Sequence, residues 1–240
     1  MMIAGKSVLV TGANRGIGRA LVDEALSRGA ALVYAGTRQP FTHPDARVTP
    51  LTLDVTDAAQ VEAAADQVGA LDVLINNAGV APYDDLSDAA ALEQALAVNL
   101  LGTHRVTRAF LPLLIKSRGA VVNNVSTMAF APLPLTPAYS VSKAATFSMT
   151  QSLRALLAAQ GVSVHAVLTG PVDTDMTRGF EIPKVSAESV ARAVFDGLEN
   201  EEEEIFPDPM SQSVAEDWRG GFAKTLERQY AAIAAEVAAA

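Results

Sequence analysis

Six short apolar runs, Ser7 to Val10, Leu32 to Gly36, Val48 to Leu53, Val73 to Ile75, Ala120 to Val125 and Val162 to Leu168, alternate with longer stretches of helical pattern. The runs are read as strands and the stretches as helices. A strand that is apolar without alternation is buried on both faces, so these runs predict a parallel sheet with helices on each side. The expected fold is α/β, a doubly wound parallel sheet. In such a sheet a ligand lies beyond the carboxyl ends of the strands, at the reversal in strand order. Near the end of the chain Trp218, Phe222, Leu226, Tyr230 and Ile233 recur every three or four residues, which predicts a one-sided helix packed on the body or on another subunit. The run Glu201 to Glu204, before Ile205 and Phe206, is expected to be a solvated loop.

A chain of 240 residues with 50% hydrophobic and 19% charged content can bury one substantial core. One catalytic domain over 1–240 is expected, with 177–186 a short substrate lid and 209–240 a C-terminal helical extension. There is no apolar stretch of membrane-spanning length, and the opening MMIAGKSVLV leads into the first strand without a cleavable signal pattern. A cytoplasmic protein with no membrane partner is expected. The absence of cysteine excludes disulfides and thiol chemistry. A net charge of −9 without a basic patch argues against nucleic acid and for small-molecule partners. His43, His104 and His165 lack a second ligand at metal spacing, so they are read as structural and no metal is expected.

Candidate chemistry enters at two places. The first run ends in Thr11-Gly-Ala-Asn-Arg-Gly-Ile-Gly18, with an amphipathic helix following to Arg28. Gly12 suits a sharp turn, Gly16 lets backbone approach a phosphate, and Gly18 lets the helix pack closely on the sheet. The unpaired N–H groups at that helix start suit a pyrophosphate. Further on, Tyr139 and Lys143 stand four apart, on one face of a helix. An ammonium beside a phenol favours phenolate, so Lys143 is expected to lower the Tyr139 pKa and make it a usable acid and base. Ser126, or Thr127 as the fallback, lies after a strand where a hydroxyl can steady charge on a carbonyl oxygen.

The spacing Gly-x-x-x-Gly-x-Gly, Asn76-Asn77-Ala78-Gly79, Ser126 and Tyr139-x-x-x-Lys143 together resemble the classical short-chain dehydrogenase/reductase family over nearly the whole chain. The resemblance implies a Rossmann fold and catalytic residues Asn99, Ser126, Tyr139 and Lys143, with Asn99 holding a water that links Lys143 to solvent. It implies cofactor contacts from Gly12, Asn14, Arg15, Gly16, Ile17, Gly18, Thr37, Arg38, Asp54, Val55, Asn77, Ala78, Gly79, Tyr139, Lys143, Gly170, Val172 and Thr174. Asp54 would touch the adenine, although capping near Thr56 and Asp57 also explains it. The family segment Pro-Gly-x-Val-x-Thr appears as Thr169-Gly-Pro-Val-Asp-Thr174, so Thr169 stands where the family has proline. Homodimers or homotetramers are implied too.

Cofactor choice is read from Tyr34-Ala35-Gly36-Thr37-Arg38. No carboxylate is present there to hold a ribose 2′-hydroxyl, whereas Arg38 and Arg15 offer guanidinium groups to a 2′-phosphate, so NADP(H) is expected. The expected reaction is hydride transfer between nicotinamide and the carbonyl or secondary alcohol of a hydrophobic or aromatic substrate. Val80, Tyr83, Met128, Phe130, Leu133, Leu135, Met176 and Phe180 are the pocket candidates. A non-catalytic NADP(H)-binding regulator of the same fold is the alternative, though it would be expected to have lost Tyr139 or Lys143. A nucleotide-sugar epimerase or dehydratase would need a longer C-terminal region.

Overall fold

The computed structural model describes the backbone of residues 1–239 and the side chains of 1–236. In chain order the elements are β1 (Ser7–Thr11), α1 (Gly16–Ser27), β2 (Leu32–Thr37), β3 (Val48–Thr52), α2 (Ala58–Gln67), β4 (Val73–Asn76) and α3 (Ala89–Ala95). A π-helical segment, Leu96–Gly102, joins α3 to α4 (Thr103–Ser117). Then follow β5 (Ala120–Asn124), α5 (Pro137–Ala158), β6 (Ser163–Val167), α6 (Ala187–Glu199), β7 (Glu204–Ile205), α7 (Pro209–Gln212), α8 (Ala215–Gly220) and α9 (Phe222–Ala239).

The strands form one parallel sheet in the order β3-β2-β1-β4-β5-β6-β7. Alternate residues of a strand face opposite ways. Val8 and Val10 accordingly pack with α1 and α6 in one core, whereas Leu9 packs with Phe110 and Leu114 of α4 in the other. That two-sided burial is why the runs carry no polar alternation. The order reverses between β1 and β4, so the turns after those strands border the crevice. Several helix starts are closed by side chains: Asp57 caps α2 and Ser186 caps α6. At α1 the N-cap is Arg15, which makes no side-chain cap bond and leaves the first-turn amides open.

Two expectations are corrected. Glu201 to Glu204 is not a solvated loop throughout: Glu204 lies in β7, is 4% exposed, and meets Lys224 at 2.9 Å and Arg154 at 2.8 Å. Its burial is compensated by charges from α9 and α5, partners that no local pattern displays. The apolar stripe is also not one helix. Trp218 belongs to α8 and stacks on Phe130, with ring centroids 4.7 Å apart, while Phe222, Tyr230 and Ile233 of α9 face solvent. Lys224 decides which face of α9 turns inward: it is 2% exposed and bonded to Glu203, Glu204 and Glu227 at 2.7, 2.9 and 3.0 Å.

His165 fits its structural reading. It is buried in β6, with Nδ1 at 2.6 Å from the Glu202 carbonyl and Nε2 at 2.9 Å from the Ser163 hydroxyl. Among the described residues no helix is long and apolar enough to cross a membrane.

Candidate active site

Gly12 and Gly16 hold φ of +66° and +52°, left-handed values that favour glycine. Gly18 answers to space instead: a Cβ there would lie 2.1 Å from the Gly12 carbonyl oxygen. The turn is stitched to its neighbour beyond β4. The Asn77 and Ala78 amides both donate to the Thr11 hydroxyl at 3.0 Å, and Asn77 Nδ2 donates to the Thr11 carbonyl at 3.0 Å. Beside the open start of α1 lies a cavity of about 400 Å³ lined by Gly16, Asp173, Thr174, Asp175, Arg178, Gly179 and Lys184. Open amides and backbone without side chains fit a pyrophosphate, while the two cations of the lining are engaged, Arg178 with Asp175 and Lys184 with the Thr177 carbonyl at 2.7 Å. The residues present therefore fit a dinucleotide.

On the adenosine side Thr37 is buried at the end of β2 and donates to the Gln39 carbonyl at 2.7 Å, with Arg38 exposed beside it. The Asp54 carboxylate accepts from the Thr56 amide and hydroxyl at 2.9 and 2.7 Å, while the helix cap itself is Asp57. Val55 is buried, and its carbonyl takes the Arg105 guanidinium at 2.5 Å. Asn14 is exposed and Ile17 packs on the core below the turn. The two expected phosphate arginines are differently engaged. Arg15 forms an ion pair with Asp175 at 3.0 Å.

The reacting group is assembled from three elements. Ser126 follows β5 and faces Tyr139 of α5; its Oγ donates to the Thr169 carbonyl at 3.3 Å and accepts from the Met128 amide at 3.1 Å. Thr127, the fallback, opens the short turn Thr127–Ala129, so its place is beyond the hydroxyl that meets Tyr139. Lys143 is buried, 5.5 Å from the Tyr139 ring centroid, and its Nζ donates to the Asn124 carbonyl at 2.6 Å. Asn99 sits in the π-helical segment, a geometry frequent at functional sites. Its amide is saturated by the Val80 backbone at 2.9 Å each way and by Ser142 Oγ at 2.8 Å. Its carbonyl accepts from Thr103 and Thr146.

The expected lowering of the Tyr139 pKa is corrected here. Burial pushes the phenol up to about 12, against the opposing effect of the Ser126 hydrogen bond, and burial pushes the Lys143 ammonium down to about 8. Desolvation of both groups outweighs their mutual support in this conformation.

After β6, the Gly170 amide donates to Asp208 Oδ2 at 2.7 Å, and a Cβ at Gly170 would meet Asp208 Oδ1 at 2.5 Å. Val172 is buried, and the Thr174 methyl would lie 3.2 Å from a Cβ on Gly16, so this loop closes the phosphate end. Gly79 approaches Asn99 as closely: a Cβ there would lie 3.2 Å from its Oδ1. Of the pocket candidates, Tyr83 and Phe180 stack with ring centroids 5.7 Å apart. Phe130 is taken instead by the cluster with Phe147 and Trp218, because those rings offer it a closed apolar contact. Thr11, Asn124 and Asp208 hold the site together yet have no place among the expected residues. Asn124, a second amide closing an apolar strand, carried the same signal as Asn99.

Comparison with known proteins gives the family. The short chain dehydrogenase family model matches residues 6–183. The chain belongs to that family and is an oxidoreductase of the short-chain type. It is 38% identical, with a TM-score of 0.86, to a short chain dehydrogenase of Burkholderia cenocepacia solved in complex with NADP, covering 92% of this chain and 95% of that one. An uncharacterized oxidoreductase of Staphylococcus epidermidis is 33% identical over 80% of this chain and 90% of its own length. A short chain dehydrogenase of Monascus ruber is 33% identical over 78% of this chain and 73% of its own.

Proposed function

We propose that the chain is an NADPH-dependent carbonyl reductase, acting in reverse as an alcohol dehydrogenase, on hydrophobic or aromatic substrates. The observation that carries this reading is the convergence of Ser126, Tyr139 and Lys143 beside the uncapped glycine turn. Nicotinamide, when bound, supplies or accepts the hydride. When substrate binds, the single Ser126 O–H turns from the Thr169 carbonyl, a long 3.3 Å contact, to the substrate oxygen and steadies its developing charge. Tyr139 Oη gives that oxygen a proton during reduction, and a phenol held neutral by burial is in the right state to do so. Lys143 then supports the phenolate left behind, and Asn99 fixes the helical turn behind it. NADP(H) over NAD(H) is supported by Arg38 without a carboxylate at the end of β2 and by the NADP in the Burkholderia relative. The stacked Tyr83 and Phe180 support an apolar or aromatic substrate.

The same reading carries a homodimer or homotetramer, supported by the exposed Leu101, Leu156, Phe222 and Tyr230. The test is turnover of a panel of aryl ketones, diketones and aldehydes with NADPH and with NADH. Faster reduction with NADPH, and loss of that preference in Arg38→Ala, is the expected result. An equal or greater rate with NADH would overturn the cofactor assignment. Tight NADPH binding without any reduction would favour the non-catalytic alternative.

A further inference from the structure

The carbonyls that receive the two helpers of Tyr139 are tied to each other. Lys143 Nζ donates to the Asn124 carbonyl at 2.6 Å, and Ser126 Oγ donates to the Thr169 carbonyl at 3.3 Å. The Thr169 hydroxyl in turn donates to the Asn124 side-chain oxygen at 3.0 Å, and the Thr127 amide donates to the Thr169 carbonyl at 3.1 Å. Asn124 Nδ2 continues the chain to Asn77 Oδ1 at 3.1 Å, and Asn77 grips the turn after β1. Thr169 is 6% exposed, so its hydroxyl is held away from water and depends on this partner. Thr169 stands where the family pattern has proline, a residue that stiffens backbone by its ring and offers no side-chain hydrogen bond.

We propose that Thr169 and Asn124 are positioning residues. Their side-chain hydrogen bond holds the carbonyl anchors of Ser126 and Lys143 in one frame, and so fixes both groups about Tyr139. The inference rests on the reductase reading. A valine at 169 keeps the shape and removes the donor. The ends of β5 and β6 then keep only their backbone bonds, from the Val125 amide to the Val167 carbonyl and from the Thr127 amide to the Thr169 carbonyl; the ammonium is less well held beside the phenol, and phenolate is less supported. No ionisable side chain comes from the π-helical segment, the Thr127–Ala129 turn or β5; of the other elements packed on α5, α3 carries Glu93, β6 His165 and α9 Lys224 and Glu227, all unchanged in every variant. Asp84, whose carboxylate accepts from the Ala138 amide at 3.2 Å, is unchanged in every variant.

The experiment compares wild type, Thr169→Val and Thr169→Ser in NADPH binding by fluorescence and in kcat against pH, with the rising limb read in alcohol oxidation. Thr169→Ala replaces the valine variant if that fails to fold. Thr169→Val is expected to lower kcat about tenfold, the order a lost buried hydrogen bond carries, with KM and NADPH Kd within about twofold. Its rising limb moves to higher pH by about one unit, and Thr169→Ser restores both. Wild-type kcat and pH limb in Thr169→Val would overturn the inference, as would equal damage in the serine variant or loss of kcat only through NADPH binding. A wild type that binds NADPH yet turns over none of the carbonyls or alcohols overturns the reductase reading, and this inference with it.

Discussion

At the scale of single residues, desolvation and close contact set the terms. Gly18 leaves no room for a methyl group, since its Cβ would meet the Gly12 carbonyl oxygen at 2.1 Å and Asn77 Nδ2 at 2.6 Å. Gly18→Ala is expected to cost about 1–3 kcal/mol by overpacking and to weaken NADPH binding at least tenfold, read by denaturant unfolding and fluorescence titration. Unchanged binding would show that the turn is not held by Asn77. The Lys143 pKa, lowered to about 8 from 10.5, fixes the sign of a stability effect. Between those values the unfolded chain binds a proton that the native state does not, so this residue makes stability rise with pH from about 8 to 10.5. Tyr139, raised to about 12 from 10.0, works oppositely: its contribution is full below 10 and is lost toward 12. Denaturant unfolding of cofactor-free protein across pH 7 to 10 should show the rise in wild type and not in Lys143→Met. An identical pH dependence in the two would contradict the buried placement of Lys143. The sequence revealed the residue types of this site, because Tyr139-x-x-x-Lys143 and the glycine spacing are local. It did not reveal the balance of burial against pairing, which depends on what α5 packs against.

At the scale of elements, the strands were the most legible part. All six apolar runs fall within one residue at each end of β1 to β6; burial on both faces leaves an unbroken apolar signal in the inner strands, while in the edge strand β3 Thr49, Pro50 and Thr52 are exposed. The sixth, Val162 to Leu168, contains β6 and overruns it by one residue at each end. The two failures share one cause. A two-residue strand such as β7 carries little pattern, and the inward face of α9 is fixed by Lys224 and Glu227 rather than by its apolar stripe. Lys224 and Arg154 together balance Glu204 and Glu227 in a nearly dry pocket. Removing one partner of such a cluster leaves buried charge uncompensated, so Lys224→Met is expected to destabilise by about 3–5 kcal/mol. Urea unfolding measures this, and a loss below about 1 kcal/mol would mean that the cluster is open to water.

At the scale of the molecule, the sheet order brings residues from far apart in the chain to one edge. Thr11, Asn77, Asn124 and Thr169 end or follow β1, β4, β5 and β6, and they are linked in one run of hydrogen bonds below the site. Sequence motifs marked each strand end separately. Their mutual bonds came into view only with the strands side by side. The exposed apolar residues of the π-helical segment, α5 and α9 belong to this scale too: sedimentation equilibrium is expected to show a dimer or tetramer, and a monomer at micromolar concentration would remove the assembly from the account.

The central claim is that Tyr139 carries the proton transfer in a site built for NADPH. The most direct test measures carbonyl reduction and NADPH binding together in wild type and Tyr139→Phe. Wild type should reduce at least one ketone or aldehyde of the panel. Tyr139→Phe should lose kcat by about 100-fold or more while its NADPH Kd stays within about threefold. Undiminished reduction by Tyr139→Phe would contradict the claim outright.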